Sequence, residues 1–238
     1  MSKQCGEIHE AVQAAILRLC RDAASLRAGD EAPALLDVGC WNGAQTMKYA
    51  AVLGAKEVHG VEIFDEPISQ ARLKGIQVSK INLEADQFPF DDNRFDIVIC
   101  NQVFEHLKQI FLPIDEIWRI LKPGGSFILS VPNLASFHNR VMLLFGVQPS
   151  SIRVFGPHVR GYTLRALKEF VTTNENFKLE KVAGVGFYPL SPEAGGNLLA
   201  GLWKSACHTP VLLLRKNPVV AFISWNQLIA SGPTQTVF

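Results

Sequence analysis

The stretch Asp37-Val38-Gly39-Cys40-Trp41-Asn42-Gly43 follows the apolar run Ala34-Leu35-Leu36 and precedes a segment, 44–53, that reads as a helix. Strand, glycine turn and helix form the unit from which open parallel sheets are built. The turn at the strand's carboxyl end is where such sheets bind nucleotide-like ligands. A dinucleotide fingerprint needs glycine at the middle position of this turn, so that the backbone can approach a pyrophosphate. Trp41 stands there, and the next glycine, Gly43, lies four residues after Gly39. The indole disfavours a nicotinamide dinucleotide, and with it an oxidoreductase. The turn also has a plain structural reading, in which the two glycines only tighten a strand-to-helix connection.

The same alternation extends to both sides. Ile8, Val12, Ala15, Ile16, Leu19 and Ala23 recur at three-to-four spacing and predict a helix over 7–28, stopped by Gly29-Asp30. Short apolar runs follow at Glu57–Val61, Gly75–Val78, Phe95–Cys100 and Ser126–Val131, separated by helical stretches such as 66–73 and one ending near Lys122. Runs that are apolar throughout imply strands covered on both faces, hence a doubly wound, mostly parallel α/β sheet. Residues 132–160 break the rhythm, with Pro132, Pro149 and Pro157 among Phe137, Phe145 and Phe155. Alternation resumes with a helix from Thr163 to about Thr172 and strands near 178–187 and 210–215. The tail after Asn217 gives no clear element, and its apolar part, Val219–Trp225, reads as a sheet edge or core, an inter-subunit contact or a membrane-surface patch. Sheet edge or core is the default among these.

Composition narrows the function classes. The chain has 238 residues, 48% hydrophobic and 19% charged, enough to bury a large core. At about 150 residues per domain this is one α/β domain with an extension. Twenty-three basic against 22 acidic side chains leave +1, which disfavours a nucleic-acid partner. No apolar run approaches the ~20 residues of a transmembrane segment. The residues from Met1 to Glu10 lack a charged-then-apolar leader pattern, so a cytoplasmic location is expected. Five widely spaced cysteines without a CxxC pair fit reduced thiols. His59, His138 and His208 show no metal-ligand spacing, so no metal is expected. No G-x-S-x-G elbow is present, which argues against a hydrolase.

Glu62 ends the second strand, 25 residues after Asp37, where a carboxylate can accept hydrogen bonds from a ribose diol. With that residue in place, the chain resembles the class I S-adenosylmethionine-dependent methyltransferases, in particular small-molecule enzymes with a type 11 or 12 domain. Asp37–Gly43 looks like their first motif, with Trp41 at its usual middle glycine. Asn82-Leu83-Glu84 followed by Gln87–Asp96 resembles their third block, with Asn82 where the family often has aspartate. Phe95–Leu107 looks like their fourth strand and loop, and Ile120–Phe127 like the turn into the fifth.

The resemblance covers about 33–133. It implies a Rossmann-like seven-stranded sheet with helices on both faces and an antiparallel last strand. It also implies S-adenosylmethionine as cofactor, held by Asp37, Gly39, Cys40, Trp41, Gly43, Glu62, Ile63, Asn82, Leu83 and Asn101. The ribose would lie on Glu62, the adenine between Ile63 and Leu83, and the methionine end near Asn101. The expected organisation is a single domain over 1–238: an N-terminal helix (1–30), a cofactor-binding half (33–131), an acceptor-side insertion (132–162), and C-terminal helix, strands and tail (163–238).

The expected activity is methyl transfer to an oxygen or nitrogen of a small molecule or glycan precursor. The glycan option comes from the likeness of Gly156–Leu164 to some bacterial members. His106 and His158 are the candidate bases. Each also has a structural reading, His106 as a buttress of the fourth helix and His158 as a loop anchor with Arg160. Tyr162 is either a phenol in the site or an aromatic anchor. Trp41 either covers the cofactor or packs inward. Trp41 and Asn82, as departures from the pattern, sustain the rival reading of an inactive binding or scaffold protein. The acceptor's identity and the oligomeric state are not set by these motifs.

Overall fold

Strands that are apolar at every position need cover on two faces, and the computed structural model supplies it. It describes residues 2–27 and 29–231; Met1, Ala28 and residues 232–238 lie outside the described residues. Helix α1 (Ser2–Leu26) leads into β1 (Ala34–Val38), all of whose residues are buried. From β1 the chain winds one way through α2 (Ala44–Leu53), β2 (Glu57–Glu62), α3 (Asp65–Leu73) and β3 (Gln77–Lys80). It then winds the other way through β4 (Phe95–Asn101), α4 (Phe111–Ile120) and β5 (Leu121–Ser130). Helices α5 (Phe137–Leu144) and α6 (Leu164–Val171) precede β6 (Phe177–Val185), α7 (Asn197–Leu202), β7 (Thr209–Lys216) and α8 (Trp225–Ser231). The seven strands lie in the order β3-β2-β1-β4-β5-β7-β6. Only β7 runs antiparallel to its neighbours, between β5 and β6.

Two apolar layers sandwich the sheet. Leu36 and Val38 face a layer with Ile114 and Ile117 of α4, Leu167 and Val171 of α6, and Trp225 of α8. Leu35 faces the other, with Ile16 and Leu19 of α1, Tyr49 of α2 and Ile68 of α3. All six residues of the stripe that predicts the first helix are buried. Each large side chain buried this way is worth about 1.5–3 kcal/mol. Thr163 caps α6, its Oγ1 accepting the Ala166 amide at 3.1 Å.

Three local expectations change. Helix α4 stops at Ile120 rather than near Lys122, because Leu121 already pairs with Phe95 at the start of β5. The loop-rich stretch 132–160 contains α5, which pattern alone does not show because Leu143, Leu144 and Phe145 around its end are exposed. The segment after Asn217, which shows no clear element in the sequence, holds α8, and of its default roles it takes the core one at Trp225, which is 2% exposed, with Phe222 stacked on Trp118 at 4.1 Å, while Val219 stays exposed.

Candidate functional site

Parallel winding puts the ends of β3, β2, β1 and β4 side by side, with Val38 in register with Val61 and Cys100, and Glu62 with Lys80. The cofactor set predicted from sequence falls along this one edge. The β1–α2 turn extends the ladder, since Gly39 N and Cys40 N both donate to Val61 O, at 2.9 and 3.2 Å. Gly39 has a φ of 73°, and a Cβ there would sit 2.6 Å from Val103 Cγ2. The residue is therefore fixed as glycine by backbone shape and by the loop after β4.

Glu62 organises the edge. Its Oε1 accepts the amides of Ile63 (2.7 Å) and Phe64 (3.2 Å), and its Oε2 accepts that of Trp41 (3.0 Å). Oε2 thereby keeps a lone pair for a hydroxyl. Around it Trp41, Ile63 and Phe64 are exposed at 58%, 42% and 60%, with the Trp41 and Phe64 rings edge to face at 6.1 Å. Trp41 does not pack inward. Its φ of 48° places a bulky residue in the left-handed region, which explains why a glycine would be at home there.

Behind the turn, Asp37 is buried and accepts Thr46 Oγ1 at 2.5 Å; burial, set against that bond, pushes its carboxyl up to about 7. The Cys40 thiol is pushed up by burial and by Asp37 and Glu62 nearby, which leaves it an inert apolar lining group. Asn82 Oδ1 accepts the Glu84 amide (3.0 Å) beside half-buried Leu83. Asn101 Oδ1 accepts Ser130 Oγ at 2.5 Å, pinning the end of β4 to β5.

The two candidate bases come together although 52 residues separate them. His106 sits in a short 3-10 turn, Phe104–His106, directly after β4, and His158 lies in the insertion; their rings are 4.8 Å apart. Val159 N and Arg160 N both donate to Glu105 O, at 2.8 and 3.2 Å, which draws the loop onto the turn. Tyr162 is an anchor: its buried hydroxyl donates to Phe104 O at 3.2 Å. Burial holds the His106 imidazole below its ordinary pKa, with His158 adding to the effect. Glu105, between Phe104 and His106, carries a buried carboxyl that sequence reasoning passes over; its only sequence signal is an acid following two apolar residues. Hollows of about 570 Å³ beside His59, Arg72 and Arg94 and about 530 Å³ beside Phe177 and Arg215 are lined by none of these residues.

Against known proteins, a family described as a methyltransferase domain matches residues 36–129. The chain is 27% identical over 170 residues to a protein named "Probable S-adenosylmethionine-dependent methyltransferase" in Mycolicibacterium smegmatis, covering 69% of this chain and 61% of that one. It is 33% identical over 103 residues to the ubiquinone biosynthesis O-methyltransferase of Pseudoalteromonas translucida, covering 41% and 43%. The chain thus spans about half the length of these curated relatives. An S-adenosylmethionine dependent methyltransferase structure from Mesorhizobium loti superposes with a TM-score of 0.59 at 16% identity, over 88% of this chain and 100% of that one, a likeness of fold alone.

Proposed function

We propose that this chain is a class I S-adenosylmethionine-dependent methyltransferase and that it transfers a methyl group to an oxygen or nitrogen of a small molecule or glycan precursor. The observation that carries this reading is Glu62: a buried carboxylate at the end of β2, tied to the glycine turn, with one oxygen still able to accept a hydroxyl beside exposed apolar and aromatic side chains. That donor set fits a nucleoside with a ribose diol and a flat base.

S-adenosylmethionine supplies an electrophilic methyl group on a sulfonium, whose thioether leaves readily. The protein's part is alignment and exclusion of water. Glu62 would hold the ribose, Ile63 and Leu83 would hold the adenine, and Trp41 with Phe64 would form an outer wall. Gly39 and Gly43 would let the turn pass close to the cofactor, and Asn101, fixed by Ser130, would orient its methionine end. His106 and His158 are the bases proposed to take the acceptor's proton, and the lowered pKa of His106 favours its neutral, accepting form.

Residues 132–162 shape the acceptor pocket. Leu144, Val154 and Phe155, exposed at 81%, 81% and 103%, favour an acceptor with an apolar portion. The near-zero net charge favours a small molecule over a nucleic acid. Calorimetric titration with S-adenosylmethionine and S-adenosylhomocysteine, followed by labelled-methyl transfer to a panel of hydroxyl and amine acceptors, tests the reading. Absence of heat with either ligand in a folded sample sinks it and promotes the scaffold alternative.

A further inference from the structure

Glu105, His106 and His158 make an arrangement that methyl transfer alone does not require. Glu105 is 1% exposed, and among the described residues neither of its carboxylate oxygens has a hydrogen-bond partner. The nearby Arg160 does not serve it: that guanidinium donates to Leu107 O and Lys108 O and lies over the Phe111 ring. A buried carboxylate without donors is costly, by several kcal/mol when ionised. Its neighbours are two imidazoles, and one ligating atom from each of the three side chains lies within 4.8 Å of the others.

Both imidazoles are oriented from behind. His106 Nδ1 is 3.3 Å from Pro157 O and His158 Nδ1 is 2.8 Å from Ser151 O. A carbonyl can only accept, so each Nδ1 carries the hydrogen and each Nε2 the lone pair. This is how a second group usually fixes the tautomer of a metal-binding histidine.

We propose that the Glu105 carboxylate and the imidazoles of His106 and His158 bind a divalent transition-metal cation such as zinc, cobalt or manganese. Two nitrogens and one oxygen suit such ions better than magnesium or calcium, which prefer oxygen throughout. Metal–nitrogen bonds of about 2.0–2.1 Å put neighbouring ligand atoms about 3.4 Å apart, so binding draws the three donors together by roughly 1.4 Å at most. Three protein ligands leave a coordination position open for water or an acceptor hydroxyl. A hydroxyl bound there loses its proton to solvent more readily, and its oxygen keeps the electron pair that attacks the methyl carbon. That catalytic consequence rests on the methyltransferase reading, and with metal bound it replaces the role of the two imidazoles as free bases, because their Nε2 lone pairs are then on the metal. The binding site does not.

The test uses the full chain, free of any affinity tag and stripped of metal by a chelator. Zinc is titrated by calorimetry and cobalt by visible absorption, on the wild type, Glu105→Gln and His158→Ala, with S-adenosylhomocysteine binding measured on the same samples. One equivalent of metal, bound at least tenfold more weakly by each variant that still binds S-adenosylhomocysteine, supports the site. No stoichiometric binding by a folded wild type, or equal affinity in both variants, overturns it. Should His158→Ala fail to fold, the near-isosteric Glu105→Gln decides alone. Metal binding without S-adenosylhomocysteine binding supports the site and overturns the cofactor reading instead.

Discussion

The carboxylate of Glu62 accepts the backbone amide of Trp41 at 3.0 Å, tying the turn after β1 to the end of β2 across 21 residues of chain. The same side chain holds the amides of Ile63 and Phe64. Glu62→Ala removes all three acceptors at once. Leaving amides unpaired costs about 1–3 kcal/mol each when fully buried, and the exposed neighbours here reduce that to about 2 kcal/mol in total. Glu62→Gln keeps one acceptor oxygen and has the smaller effect on stability. Affinity for S-adenosylhomocysteine falls tenfold or more in Glu62→Ala (~1.4 kcal/mol). Urea denaturation and calorimetry read the two losses separately, and unchanged affinity in Glu62→Ala removes this residue from the cofactor site.

Trp41 separates side-chain contact from backbone strain. A non-glycine residue in the left-handed region costs about 1–2 kcal/mol, while glycine loses about 0.5–1 kcal/mol more chain entropy on folding than alanine. Trp41→Ala keeps the strain and loses the edge-to-face contact with Phe64. Trp41→Gly loses both. The expectation is that Trp41→Gly is more stable than Trp41→Ala by about 0.5–1 kcal/mol, with equally weakened cofactor binding in the two. Equal stabilities mean that the turn relaxes without the glycine.

Why the proposed cofactor edge could be read and its neighbour could not follows from chain separation. Asp37, Gly39, Glu62 and Asn101 each lie within a residue or two of a strand end, so an ordered series of short apolar runs places them together before any contact is known. Glu105 and His158 meet only because two amides of a long insertion bond to one carbonyl, and no periodicity encodes that. The spacing of His59, His138 and His208 points away from a metal, while the set that does converge is spread over two segments. Helix α5 escapes notice because three of its apolar side chains, Val141, Leu143 and Leu144, are exposed. The junction at Leu121 escapes because strand pairing, not helix propensity, sets where α4 ends.

Two buried groups give the stability curve opposing slopes. Burial, with His138 stacked alongside at 5.6 Å, pushes the His208 imidazole down to about 4. The unfolded chain therefore binds a proton that the fold refuses, and stability is lost as pH falls from about 6.5 toward 4. Asp37, raised to about 7, does the reverse: the fold holds a proton the unfolded chain has released, so stability is lost as pH rises from about 4 through 7. The wild-type curve mixes the two, and single variants separate them. His208→Gln flattens the acid-side loss. Asp37→Asn, whose amide oxygen can still accept Thr46, makes it steeper. Denaturant midpoints at pH 4.5, 6 and 7.5 decide this, and parallel curves for wild type and both variants refute both assignments.

Trp225 decides what the C-terminal segment is for. Its ring lies in the layer with α4 and α6, its Nε1 donates to Phe170 O at 2.9 Å, and its amide donates to Asp115 Oδ1 at 2.9 Å. Asp115 Oδ2 also accepts Ser224 Oγ and Asn226 Nδ2, at 2.5 and 2.9 Å, so one side chain of α4 caps the start of α8. Trp225→Ala removes the packing and costs about 3–5 kcal/mol. Trp225→Phe keeps most of the buried area, leaves only Phe170 O without its donor, and costs about 1 kcal/mol. The ratio shows that packing outweighs the hydrogen bond. A segment serving instead as a subunit contact or a membrane-surface patch would give both substitutions effects within about 0.5 kcal/mol on the isolated chain. Urea midpoints measured at two protein concentrations distinguish the cases: a large, concentration-independent loss in Trp225→Ala assigns the segment to the core.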